Sequence, residues 1–151
     1  MARPGYRLFA AGSWGLIFVA VLHTIGHFAG RPTDPAALKA FAAMASYRLE
    51  LPLGMQPTIL DVFRDLSLTM AITLAGLGLQ NVVVGRLAGA SPLLMRRLAG
   101  ATSLVLGALL GLKAFYRISP PLVLVAVVEV LFLFAWVRLG SERTVGRQEK
   151  Q

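Results

Sequence analysis

Four long stretches of this chain are almost free of charge, and that feature dictates most of what it can fold into. Leu8 to Gly30 contains no Asp, Glu, Lys or Arg, and Arg7 and Arg31 bracket it. At about 1.5 Å of rise per residue, a helix of that length crosses a hydrocarbon layer of roughly 30 Å. A second run is uncharged from Leu66 to Gly85. The third, between Arg97 and Lys113, is the shortest, and it crosses if its flanking cations extend toward water. The fourth holds only Glu129 between Arg117 and Arg138, and Pro120 and Pro121 suit its first turn, where a missing amide hydrogen costs little. The pattern predicts an all-α polytopic membrane protein. It is expected to be a four-transmembrane-helix bundle forming one integral membrane domain, with spans over 8–29, 60–84, 97–115 and 118–138.

Composition closes off the alternatives. The chain is 56% hydrophobic and 15% charged, too apolar to give a domain of 151 residues a polar surface. It has no cysteine, hence no disulfide framework and no thiolate metal site. The net charge of +8 would suit nucleic acid, but the cations sit between and beyond the apolar runs, as orientation and lipid headgroups require. Membrane lipids are therefore the expected partners, and nucleic acid is not. Arg3 and Arg7 before an apolar core resemble a secretory signal, yet the run is long and no small-x-small cleavage pattern follows a short core. A retained helix is expected.

The same cations set orientation. Nine of them (Arg3, Arg7, Arg86, Arg96, Arg97, Arg138, Arg143, Arg147 and Lys150) fall on the side of the termini, against six on the other. This bias places both termini in the cytoplasm. The longest connection, between spans one and two, then lies outside. Within it, residues 35–50 read as a short amphipathic helix, with Leu38, Phe41, Ala42, Ala45 and Leu49 at helical spacing and Pro52 as its stop.

Chemistry-bearing residues gather near the ends of these runs. His23 and His27, both histidines of the chain, stand one turn apart on span one. Asp61 and Asp65 repeat that spacing at the start of span two, with Arg64 beside them, and Lys113 and Tyr116 end span three. Tyr47 and Glu50 can reach the same level from the external segment. Ionisable groups near hydrocarbon normally turn inward and often mark a pathway or a ligand site. Imidazole and carboxylate at i, i+4 spacing can hold Zn, Fe or Mn, which makes His23, His27, Asp61 and Asp65 candidate metal ligands. The same groups can instead shuttle protons. Each also has a structural reading: an interfacial histidine, a capping Asp61, a Lys113 that reaches headgroups. Haem is disfavoured, because two histidines on one face of one helix cannot bracket a porphyrin, leaving only one His with Met44, Met55 or another residue.

Glu129 stands apart. An unpaired carboxylate near the middle of a span is costly, so it is expected to be protonated and hydrogen-bonded, or to face a polar partner such as Ser67, Thr69, Thr73, Thr102 or Ser103. Glu129, Asp65 and Lys113 are the candidate catalytic residues, with helix-pairing glue as the alternative for Glu129. "GLGLQN" lacks the spacing of a dinucleotide turn. Gly76, Gly78, Gly85, Gly89, Gly100, Gly107 and Gly111 instead offer small surfaces for helix approach, within one chain, with a second copy, or with another membrane protein.

His23-Thr24-x-Gly26-His27 at the end of a first span, with three spans following, resembles a group of small uncharacterised bacterial membrane proteins. In outline the chain is also similar to the DoxX-like four-helix proteins. The resemblance implies a multi-pass protein of the bacterial inner membrane with cytoplasmic termini, and it assigns no catalytic residue. Two functions follow as expectations. One is a metal- or proton-linked site near the outer face that binds or acts on a lipid-like or quinone-like molecule. The other is a non-enzymatic scaffold, accessory subunit or small transporter component.

Overall fold

The computed structural model describes residues 4–30, 32–87, 91–115 and 120–148. Among them are five α-helices: α1 (Pro4–Ala29), α2 (Pro35–Ser46), α3 (Ile59–Leu87), α4 (Pro92–Phe115) and α5 (Pro120–Gln148). Four are long and apolar enough to cross a membrane. The chain is an all-α, four-span integral membrane protein. Its outward faces agree, because Leu104, Ile72 and Phe28 are each at least 70% exposed. So much apolar surface suits lipid and not water. Tyr116, Arg117, Arg31 and Gly89 lie outside the described residues.

The helices run past the charge-free stretches because their starts are set by proline. Pro4, Pro35, Pro92 and Pro120 each open a helix, where fixed φ helps and the missing amide hydrogen has no helical acceptor to lose.

The fold divides into two compact units, one holding the described residues up to Val19 and from Leu74 onward, the other Ala20–Thr73. In the first, α4 buries Met95, Ala99, Thr102, Leu106 and Lys113, a seam at alternating spacings of three and four residues, one position skipped. On α5 the seam is Val125, Val128, Phe132, Ala135 and Leu139. That period keeps one face of each helix against its neighbour.

The neighbours are antiparallel. Going up α1, Gly5 meets Leu139, Gly12 meets Phe132 and Gly15 meets Val128. Along α4, Gly100 meets Trp136 and Gly107 meets Glu129. Phe9 and Phe132 close the α1–α5 contact edge to face, with centroids 5.6 Å apart. Between α1 and α3 the approach is close at Gly78, where a Cβ would stand 2.8 Å from the Ser13 carbonyl oxygen. Lipid tails are as apolar as the seam, so such packing, with the buried Asn81–Thr102 hydrogen bond of 3.1 Å, holds α1, α3 and α4 together.

In the second unit α2 turns one face partly inward. Ala37, Phe41 and Met44 are half-buried, while Leu38 is 51% exposed. Asp34 caps its first turn by accepting from the Ala37 amide. The helix ends at Ser46, four residues short of the expected 50, because the next residues pair elsewhere. Leu49 N donates to Pro57 O, Leu51 N to Met55 O and Ile59 N to Tyr47 O. A small antiparallel hairpin results, turned at Pro52–Gly54 with Leu53 and Gly54 both at positive φ.

Candidate functional site

The last turns of α1 and the third turn of α3 build the polar site of the second unit. His23 Nε2 and His27 Nδ1 each lie 3.0 Å from one atom, Ser67 Oγ. The i, i+4 spacing explains half of this, since it stacks the two rings on one face of α1. The other half is a serine on α3 set between them. All three side chains are half-buried. Phe28 covers the His27 ring edge to face at 5.0 Å between centroids. Thr24 faces its own helix, donating to Ala20 O at 2.9 Å.

The arrangement has a definite hydrogen-bond logic. A serine hydroxyl donates one hydrogen and accepts others. With both rings neutral, it donates to one imidazole nitrogen and accepts from the N–H of the other, and the direction can reverse. With one ring protonated, that ring donates to Oγ while the hydroxyl donates to the bare nitrogen of the neutral ring. The trio can therefore hold or pass one proton without breaking its geometry.

The carboxylates do not join this trio. Asp61 accepts from Thr58 N at 3.0 Å and Thr58 Oγ1 at 2.7 Å, and its own amide donates to Thr58 Oγ1 at 3.1 Å. This is a reciprocal cap that satisfies free amides at the start of α3. Asp65 and Arg64 are exposed on α3, and Tyr47 and Glu50 are exposed in the hairpin. Among the described residues, no group of three or more His, Asp or Glu side chains is placed to hold a metal ion.

In the first unit Lys113 is buried on the α4 seam and Glu129 is buried on α5. Of the hydroxyls expected to serve Glu129, Ser103 is the one beside it, across the α4–α5 contact. Even so, Ser103 Oγ and Glu129 Oε2 are both buried without closing a hydrogen bond. Thr102 is taken by Asn81, Thr73 donates to Thr69 O, and Ser67 is taken by the histidines.

Sequence reasoning placed the histidines but not their partner. Ser67 stands as the first hydroxyl after the charges at the start of the second run, which marks it only in retrospect. Comparison with known proteins returned no matching family model, no similar curated protein and no similar solved structure.

Proposed function

We propose that the chain is a proton-handling protein of the bacterial inner membrane whose working site is His23, Ser67 and His27. Both termini lie in the cytoplasm, following the distribution of Lys and Arg, so this site opens toward the outer face. It binds or acts on a lipid-like or quinone-like molecule, because half-buried groups on helices of this kind meet ligands that partition into the hydrocarbon.

One observation carries the reading: two imidazole nitrogens converge on one hydroxyl oxygen, each at 3.0 Å. Through it a proton moves in a balanced step. With His23 as the imidazolium, its Nε2 gives a proton to Ser67 Oγ as the hydroxyl gives its own to the bare Nδ1 of neutral His27, leaving His23 neutral and His27 as the imidazolium, or the reverse. Such a pair can act as acid toward a ligand carbonyl and as base toward a ligand hydroxyl. The proton-linked use of these histidines is favoured over metal binding, because Asp61 is committed to its cap and Asp65 is exposed.

With two histidines in the chain, NMR of ¹⁵N-histidine-labelled protein in detergent reads the site directly. The ring nitrogens facing Ser67 are expected to report one shared hydrogen-bond network, and a short-chain quinone should shift the signals of both rings. Ser67→Ala should change the nitrogen signals of both rings together and weaken the quinone response. Unchanged spectra in Ser67→Ala would remove the proposal's foundation.

A further inference from the structure

The first unit carries a second polar site that the histidine–serine trio does not use. Glu129 lies nine residues into α5, about 13 Å along the helix from its start. It is 92% buried by side-chain packing, Ser103 is 93% buried, and Glu129 Oε2 and Ser103 Oγ have no hydrogen-bond partner. Two side-by-side polar groups that close no hydrogen bond are expensive to keep inside a membrane span, and the carboxyl gains from any further partner that reaches it.

The way in is through Gly107. Its backbone is exposed, and among the described residues the atom of a neighbouring helix within 4 Å of where a Cβ would stand is Glu129 Oε1, at 4.0 Å. Gly111, one turn further, is also exposed, and no atom of a neighbouring helix among the described residues lies within 4 Å of its own Cβ position. The two glycines leave a notch on α4 that reaches the carboxylate from the lipid side. Leu104, Ala108 and Leu112, exposed on the same helix, are apolar. A small hydrated ion would lose its water there with nothing to replace it, whereas an ion that carries its charge inside an apolar shell would not.

We propose that Glu129, Ser103 and the notch at Gly107 form a binding site for a hydrophobic monovalent organic cation, taken up in exchange for a proton. In the empty state the carboxyl keeps its proton. On binding, the O–H bond breaks, the proton leaves to solvent, and the carboxylate pairs with the incoming cation, so charge balances at every stage. The α4 neighbours of the carboxyl are Ser103 and Gly107. The α1 residues against this stretch are Gly12 and Gly15, and none of the four titrates. Lys113 is the nearest titratable residue along α4, six positions beyond Gly107. The inference stands independently of the histidine site.

Calorimetric titration of the full chain in detergent with tetraphenylphosphonium tests it, using buffers of different ionisation enthalpy. The expected result is saturable one-site binding with release of about one proton and an apparent affinity falling about tenfold per pH unit on the acid side. Glu129→Gln should abolish binding, and Gly107→Leu, which covers Oε1, should weaken it at least about tenfold. No saturable binding, binding without proton release, or full binding by Glu129→Gln would each overturn the proposal. Should Glu129→Gln fail to fold, dicyclohexylcarbodiimide decides in the parent protein. It is expected to label Glu129 from the lipid side, and tetraphenylphosphonium to protect it. Absence of labelling, or labelling that the cation does not slow, overturns the proposal equally.

Discussion

Asn81 donates its side-chain amide to Thr102 Oγ1 over 3.1 Å, and both residues are at least 98% buried. The bond links α3 to α4 at a seam position on each helix, so it fixes which turn of one faces which turn of the other. A slip of either helix by a turn would leave an amide and a hydroxyl without partners in an apolar seam. This gives the pair a role in register beyond its energy.

A double-mutant cycle measures that link. Asn81→Leu and Thr102→Val should each destabilise the protein, and together cost less than their sum. The expected coupling is about 0.6–1.7 kcal/mol, the range typical of hydrogen bonds between membrane helices. Unfolding in mixed micelles supplies the four stabilities. Strict additivity would mean that the bond contributes nothing.

Two glycines on the same helix should respond to alanine with opposite signs. At Gly78 the new Cβ would stand 2.8 Å from the Ser13 carbonyl oxygen and from Ile17 Cγ1, so α1 or α3 must shift. Overpacking of this kind costs about 1–3 kcal/mol. Gly76 is exposed and no neighbouring helix among the described residues comes within 4 Å of its Cβ position, so alanine there only removes backbone freedom and should stabilise by up to about 1 kcal/mol. Equal effects at the two positions would show that α1 does not approach α3 as described.

Asp61 separates a capping role from a ligand role. Asn keeps an oxygen that can accept from Thr58, whereas Ala keeps none. Asp61→Ala should cost about 0.5–2 kcal/mol and Asp61→Asn much less. Elemental analysis of both purified variants should match the parent. Metal present in the parent and lost from either variant would restore Asp61 as a ligand.

The four spans were legible because hydrocarbon excludes charge, and charge is visible residue by residue. Helix starts were legible at Pro120 and Pro35 for a similarly local reason. What failed to show locally was pairing. The end of α2 depends on amides at Leu49 and Leu51 finding carbonyls at Pro57 and Met55, beyond a turn whose geometry no periodicity encodes. Ser67 read as a hydroxyl for Glu129, whereas the register of α1 against α3 sets it between the histidines. Gly76 and Gly78 are indistinguishable as letters, and one faces a neighbouring backbone while the other faces outward. The sequence carried the depth of each polar group but not its azimuth, and sites are made by azimuth.

The hairpin after α2 offers a test of backbone strain with an internal control. Leu53 has φ 68° and Gly54 φ 75°, so adjacent residues share the left-handed region and only one is suited to it. A Cβ in that region crowds the following carbonyl, at a cost of roughly 1–2 kcal/mol. Leu53 is 96% exposed, so its side chain offsets little of this through packing within the chain. Leu53→Gly should therefore raise stability by about 1 kcal/mol, reduced by the extra entropy glycine brings to the unfolded chain. Gly54→Ala places a second Cβ at positive φ and should lower stability by a similar amount, although nothing lies within 4 Å to clash with it. Detergent melting of the two variants beside the parent is sufficient. Should Leu53→Gly prove neutral in detergent yet destabilising in bilayers, the exposed leucine would be gaining its keep from lipid. Should both variants be neutral in both media, the turn does not hold the strained conformation.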